Sequence, residues 1–169
     1  MRAILAAACA VLLLAAPDAS AKTVRWASQG EITTLDPHAN NESFVNTQSW
    51  QVYDLLAERG DPKDYAKIIP ALALSWENTS PTTWVVKLRR GVTFQDGTPF
   101  TADDVVFSYD RARLANSTFK LYSTQAGIPK KIDDFTVEFT TAGPNPIFAE
   151  NLSTIYIMSK AWAEKYLCV

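Results

Sequence analysis

The run from Trp84 to Ser108 dictates more local structure than any other part of the chain. From Trp84 to Leu88, β-branched and aromatic side chains fall at alternate positions, the pattern of a half-buried strand. Gly91 and then Asp96-Gly97 follow. Glycine accepts positive φ, and Asp-Gly is a strong reversal signal. Pro99 fixes its own φ and pushes Thr98 towards an extended backbone. Thr101 stands three residues before Asp104, a Thr-x-x-Asp form of the capping box, and Asp103 and Asp104 fall in the first helical turn, where negative charge complements the helix dipole. A strand, a double turn and a capped helix are therefore expected in unbroken succession, with no catalytic constellation among them.

The N-terminus has a different character. Arg2, the apolar run Ala3 to Ala16 and the small-residue site Ala19-Ser20-Ala21 have the order of a secretory signal peptide, with cleavage expected after Ala21. The apolar run is too short to span a bilayer. Cys9 lies inside that run, where a lipoprotein signal would leave almost no apolar region before it. Removing residues 1–21 costs one cation, Arg2, and one anion, Asp18, so the formal net charge stays at −2. Nothing in that charge points to a nucleic-acid or anionic-membrane partner. Cys168 then remains as a single thiol, and no internal disulfide is expected.

Along the rest of the chain, Lys22 to Ser28 alternates as a first strand, and Gln29 to Asn41 is a polar loop interrupted by Pro37. Glu42 to Ala57 has an apolar stripe of helical spacing (Phe44, Val45, Gln48, Val52, Leu55 and Leu56), ended by Gly60-Asp61-Pro62. Short extended pieces are expected at Lys67 to Ile69 and Leu72 to Trp76, the second pairing with Trp84 to Leu88 after a turn at Asn78 to Pro81. Beyond the capped helix, expected from Ala102 to Ala115, come a short helix at Phe119 to Thr124 and two strands, Lys130 to Ile132 and Thr136 to Thr140, around Asp133-Asp134. Asn145-Pro146 should open a further helix, Ile155 to Met158 should be extended, and Ser159 should cap a last helix carrying Trp162 and Tyr166. Helices mixed with antiparallel strands make the fold class α+β.

Gly91, Val92, Phe94, Asp96, Gly97, Pro99, Phe100, Ala102, Asp104, Val105, Phe107 and Ser108 together resemble the signature of the family 5 extracellular solute-binding proteins, the peptide and nickel receptors of bacterial ABC importers. Leu35-Asp36-Pro37, Tyr53 to Leu56 and Pro70 to Trp76 resemble flanking family segments in the same order. The resemblance implies the N-terminal part of a two-lobed, type II periplasmic binding protein with an extra domain. Residues 1–21 would be the signal peptide, 22–45 the start of lobe I and 46–169 the incomplete extra domain, with lobe II absent and the chain a truncated portion. It further implies a periplasmic, monomeric receptor that captures an oligopeptide or similar solute and delivers it to ABC importer permease subunits in the inner membrane, with no reaction catalysed and no cofactor.

Family members use the loop after the first strand to face the ligand cleft. Here that places Ser28, Gln29, Glu31, His38, Asn41 and Ser43 as candidate ligand contacts. Glu31 has the charge to receive a peptide amine, and Gln29 or Asn41 the amide groups to bond a peptide backbone. His38, the single histidine, is expected at the surface or the cleft edge, since one imidazole without Cys or His neighbours makes a poor metal site and has no triad partners. Of the five tryptophans, Trp26 is the cleft candidate, and Trp50, Trp76, Trp84 and Trp162 are expected in the core. Arg59-Gly60-Asp61 is expected to be a turn rather than an adhesion signal. Asp103-Asp104 and Asp133-Asp134 are assigned to a helix cap and a hairpin turn, as neither has the flanking oxygen ligands of a calcium loop. Two other classes remain: a stand-alone secreted scaffold or adhesion domain, and a secreted hydrolase, which lacks any recognisable nucleophile–base pair.

Overall fold

Trp84, Val86 and Leu88 project to one side of a strand, and the sheet built around that strand organises the molecule. In the computed structural model the residues described are 23, 27, 30–61 and 64–166. The elements in order are α1 (Ser43–Ser49), β1 (Ala57–Asp61), β2 (Asp64–Pro70), β3 (Ala73–Ser80), β4 (Thr83–Leu88), α2 (Ala102–Ala112), α3 (Lys120–Ala126), β5 (Ile128–Asp133), β6 (Thr136–Thr140), α4 (Phe148–Asn151) and α5 (Lys160–Lys165). β1 and β2 form a two-stranded antiparallel ribbon. The other four strands form an antiparallel sheet in the order β3-β4-β6-β5. No helix among the described residues is long and apolar enough to cross a membrane.

Register sets the two faces of the larger sheet. Trp76 pairs with Val86, Trp84 with Phe139 and Val86 with Val137, so one face is apolar. The row Glu77, Val85, Glu138 and Lys130 lies on the opposite face, and Lys87 there donates to Thr136 Oγ1 at 3.0 Å. Helix α2 covers the apolar face with Ala102, Val105, Tyr109 and Ala112, all fully buried. The Tyr109 ring meets Phe139 edge-on at 5.0 Å, Phe139 meets Phe148 from α4 edge-on at 5.6 Å, and Phe148 stacks on Trp84 at 4.5 Å, so four elements close one aromatic cluster.

The capping box forms as expected. Asp104 Oδ2 accepts from Thr101 N at 2.9 Å while Thr101 Oγ1 accepts from Asp103 N at 3.3 Å. Asp104 Oδ1 also accepts from Lys160 N at 2.9 Å, joining the start of α2 to the start of α5. Gly91 and Gly97 hold positive φ, and Asp96 Oδ1 accepts from Thr98 N and Oγ1, which completes the expected reversal. Asp133 Oδ1 receives Phe135 N in the β5–β6 turn, and Ser159 Oγ receives Trp162 N at the head of α5.

Several expectations are corrected. The helix expected over 42–57 stops at Ser49. Leu55, Leu56 and Ala57 are buried in succession, which a one-sided helical stripe cannot achieve, and their backbones bond outward: Ala71 N and Ala73 N donate to Leu56 O, and Ala57 N to Leu152 O. Arg59-Gly60-Asp61 is strand, not turn. Gly60 sits where the β1–β2 register shifts, and a Cβ there would stand 2.8 Å from Ile69 Cγ2. Helix α2 ends at Ala112, before the expected Ala115, and the helix expected to start at Pro146 starts at Phe148, with Asn145 Oδ1 receiving Ile147 N just ahead of it. Trp50, which α1 does not reach, is 66% exposed, and Trp162 is also exposed; neither is a core residue. Trp76 and Trp84 do pack against the core. Of the strand expected at Lys22 to Ser28 only residues 23 and 27 are described, and the cleft aromatic Trp26 lies outside the described residues.

Candidate functional site

The loop 30–42 braces itself with short polar bonds. Thr34 Oγ1 accepts from Asp36 N at 3.0 Å, and Asp36 Oδ1 from His38 N at 3.0 Å. Asn40 Nδ2 donates to Thr33 Oγ1 at 3.1 Å while its Oδ1 accepts from Glu42 N at 2.9 Å. These are the side-chain-to-backbone bonds by which Thr, Asp and Asn set turns. Asn46 Nδ2, from α1, donates to Asn41 Oδ1 at 2.8 Å and ties the end of the loop to the helix that follows.

One ion pair fastens this loop to the sheet-bearing body. Arg111, in the last turn of α2, donates from Nη1 to Asp36 Oδ1 at 2.8 Å and from Nη2 to Asp36 Oδ2 at 2.7 Å. The two side chains are 12% and 33% exposed. A fork of this kind fixes direction as well as distance. Burial raises the Asp36 pKa, but the bonds and charge of Arg111, with His38 N, outweigh it and leave the carboxyl below its usual range.

His38 completes the anchor. It is 1% exposed, with Nε2 3.0 Å from Tyr156 O and Nδ1 3.2 Å from Arg111 Nη1, and its ring meets Phe119 edge-on at 6.1 Å. Its carbonyl accepts from Ser117 Oγ at 3.0 Å and Thr118 N at 3.2 Å. Tyr53 adds a further tie, its hydroxyl donating to Leu35 O at 3.1 Å. The expectation of a surface or cleft-edge histidine is thus wrong: the imidazole is an interior strut. Burial is the main cause that depresses its pKa, to about 4, with Arg111 adding to the effect and the Tyr156 carbonyl and Asp36 opposing it.

The candidate ligand residues therefore divide. Glu31, Asn41 and Ser43 lie on the exposed side of the loop and of the first turn of α1, and His38 lies beneath it. Ser28 and Gln29 lie outside the described residues. Among the described residues no group of three His, Cys, Asp or Glu side chains is placed to hold a metal ion. Arg111 was not singled out in the sequence. Its signal was faint: Asp36 needs a cation, and Arg111 borders the buried stripe of α2 formed by Ser108, Tyr109 and Ala112.

The sequence also gave no hint of a cleft of about 410 Å³ lined by Val52, Tyr53, Val92, Phe94, Phe100 and Trp162, with Asp54, Gln95 and Asp96 among its polar groups. The hollow beside Asp36, His38 and Arg111 holds only about 40 Å³, too little for a solute.

Comparison with known proteins identifies the family of the chain. Residues 67–166, more than half of the chain, match the bacterial extracellular solute-binding proteins, family 5, middle region. The chain is 35% identical over 153 residues to the glutathione-binding protein GsiB of Pectobacterium atrosepticum, covering 89% of this chain and 29% of that protein. It is 29% identical over 177 residues to the dipeptide-binding protein of Escherichia coli K12, covering 91% of this chain and 33% of that one. Among solved structures, the solute-binding protein MoaA of A. tumefacien R10, in complex with mannopinic acid, superposes with a TM-score of 0.71 at 32% identity, over 79% of this chain and 29% of that one. The chain thus spans about three tenths of the length of these relatives. Its helices and antiparallel sheets are those of part of a type II periplasmic binding protein, and the chain belongs to the family 5 bacterial extracellular solute-binding proteins.

Proposed function

We propose that this chain is part of a periplasmic receptor that captures an oligopeptide or similar small solute for a peptide-type ABC importer, with loop 30–42 forming one wall of the ligand cleft. In this reading residues 1–21 direct export and are cleaved after Ala21, residues 22–45 open lobe I, and residues 46–169 belong to its extra domain. The receptor acts as a monomer, makes and breaks no bond, and hands its solute to the membrane permease.

The observation that carries the reading is the contrast between the two sides of the loop. Its inner side is locked by Asp36–Arg111 and by buried His38, while its outer side offers Glu31, Asn41 and Ser43 to a ligand. A recognition surface binds more tightly when its ordering cost is met before the ligand arrives, and the anchored loop meets that condition. Glu31 supplies the counter-charge for a peptide amine and Asn41 an amide for the peptide backbone. Relatives named for glutathione and for dipeptides support a short peptide as the solute. A solute enclosed between two lobes draws contacts from both. On this chain alone the expected Kd is therefore weak, about 1 mM or above.

Ligand-observed saturation-transfer NMR on the purified chain tests this with trialanine, glutathione and mannopinic acid. Transfer to trialanine or glutathione, reduced by Glu31→Gln, is the expected result. No transfer to any of the three at tenfold excess over that Kd contradicts the reading.

A further inference from the structure

Arg111 can only donate hydrogen bonds, and a backbone carbonyl can only accept them. The imidazole of His38 lies between one of each, with Nδ1 at 3.2 Å from Arg111 Nη1 and Nε2 at 3.0 Å from Tyr156 O. Geometry alone therefore fixes the ring: Nδ1 carries the lone pair, Nε2 carries the hydrogen, and the ring is neutral. A second proton has one place to go, Nδ1, where N–H would face N–H and one cation would face another. The same guanidinium is the one that holds Asp36, so any shift of Arg111 away from the ring also loosens the fork on the loop.

We propose that His38 is a positioning residue for the ligand-facing loop and a proton-sensitive latch, which holds loop 33–42 against α2 while neutral and releases it when Nδ1 is protonated. The loop's role towards a ligand rests on the function proposed above, whereas the latch does not. Groups from four parts of the chain face the ring or its backbone. From its own loop comes Asp36, and from α2 comes Arg111. The 155–158 segment contributes the Tyr156 carbonyl, whose own hydroxyl is turned to Asn46 O, and the entry to α3 contributes Phe119, with Ser117 and Thr118 bonded to the His38 carbonyl. Asp36 favours the second proton and Arg111 opposes it. Burial also opposes it, which places protonation well below the ordinary histidine range.

Because His38 is the only histidine, its ring nitrogens can be read without ambiguity. Long-range ¹H–¹⁵N correlation on the purified chain, without ligand, should show one protonated Nε2 and one bare Nδ1 from pH 7.5 down to about 5. Amide hydrogen exchange of residues 33–42, corrected for intrinsic pH dependence, should accelerate at least about tenfold between pH 6.5 and pH 4. His38→Gln keeps a donor of similar reach for Tyr156 O but has no nitrogen that binds a proton. It should leave those amides unaccelerated over the same interval, so that any acid response it retains belongs to Asp36. A ring with hydrogen on Nδ1, titration at the ordinary histidine value, or equal acceleration in wild type and His38→Gln would each overturn the latch. None of these readouts involves a solute, so failure of the latch and failure of the receptor reading remain distinct.

Discussion

Arg111 grips Asp36 across seventy-five positions of sequence with two hydrogen bonds, 2.8 Å to Oδ1 and 2.7 Å to Oδ2, and this pair joins the polar loop to the sheet-bearing body. Removing the guanidinium strands a half-buried carboxylate and leaves His38 Nδ1 without its donor. Arg111→Ala is expected to destabilise the chain by about 2–3 kcal/mol. Arg111→Lys recovers only part of this, because an ammonium cannot reproduce the fork. Urea denaturation of both variants checks the order: wild type, then Lys, then Ala.

His38 makes stability depend on pH in a defined direction. Its folded-state pKa, about 4, lies below the unfolded value of 6.5, so between those limits the unfolded chain binds the extra proton. This contribution is full above pH 6.5, falls as pH drops towards 4, and is gone below that. It amounts to roughly 3 kcal/mol over the window. Asp36, whose pKa is also depressed, adds a loss in the same direction as pH falls through the acid range. Urea midpoints at pH 7, 5.5 and 4 should decline for wild type, and His38→Gln should remove most of the slope above pH 4.

Asp104 connects two helix starts through Thr101 N and Lys160 N. Asp104→Ala leaves both donors without their acceptor and should cost about 2 kcal/mol. The extra loss should fall on α5, read as faster amide exchange at Lys160 and Trp162 than at the interior of α2.

Tyr109 gives the opposite sign. Its hydroxyl is fully buried and finds no hydrogen-bond partner among the described residues, while its ring packs edge-on against Phe139. Tyr109→Phe keeps the ring and removes an unsatisfied polar group, so the variant is expected to match wild type or exceed it by about 1 kcal/mol in thermal or urea denaturation.

These contrasts follow what the sequence could and could not reveal. The strand, turns and capped helix from Trp84 to Ala112 were legible because each signal is local: alternation, glycine at positive φ, and a Thr-x-x-Asp cap act within a few residues. The early end of α1 was not legible, because Leu55 to Ala57 leave the helix for backbone partners at Ala71, Ala73 and Leu152. His38 looked like a surface residue because its surroundings, Arg111, Phe119 and Tyr156, are brought to it only by the tertiary fold. Trp50 and Trp162 read as core because each falls within an expected helix, and both emerged exposed. Of the candidate site, the loop's polar face was readable; the anchor beneath it and the apolar cleft beside Trp162 were not.

The central claim is that loop 30–42, held by Asp36 and Arg111, is the face this chain presents to a peptide. Chemical-shift mapping of the ¹⁵N-labelled chain with trialanine tests it most directly. The account predicts saturable shifts concentrated at Glu31 and at Asn40 to Ser43, and their loss in Arg111→Ala under conditions where the remaining resonances keep native dispersion. Shifts centred instead on Phe94, Gln95 and Trp162, or a loop that stays silent while other sites saturate, would contradict it.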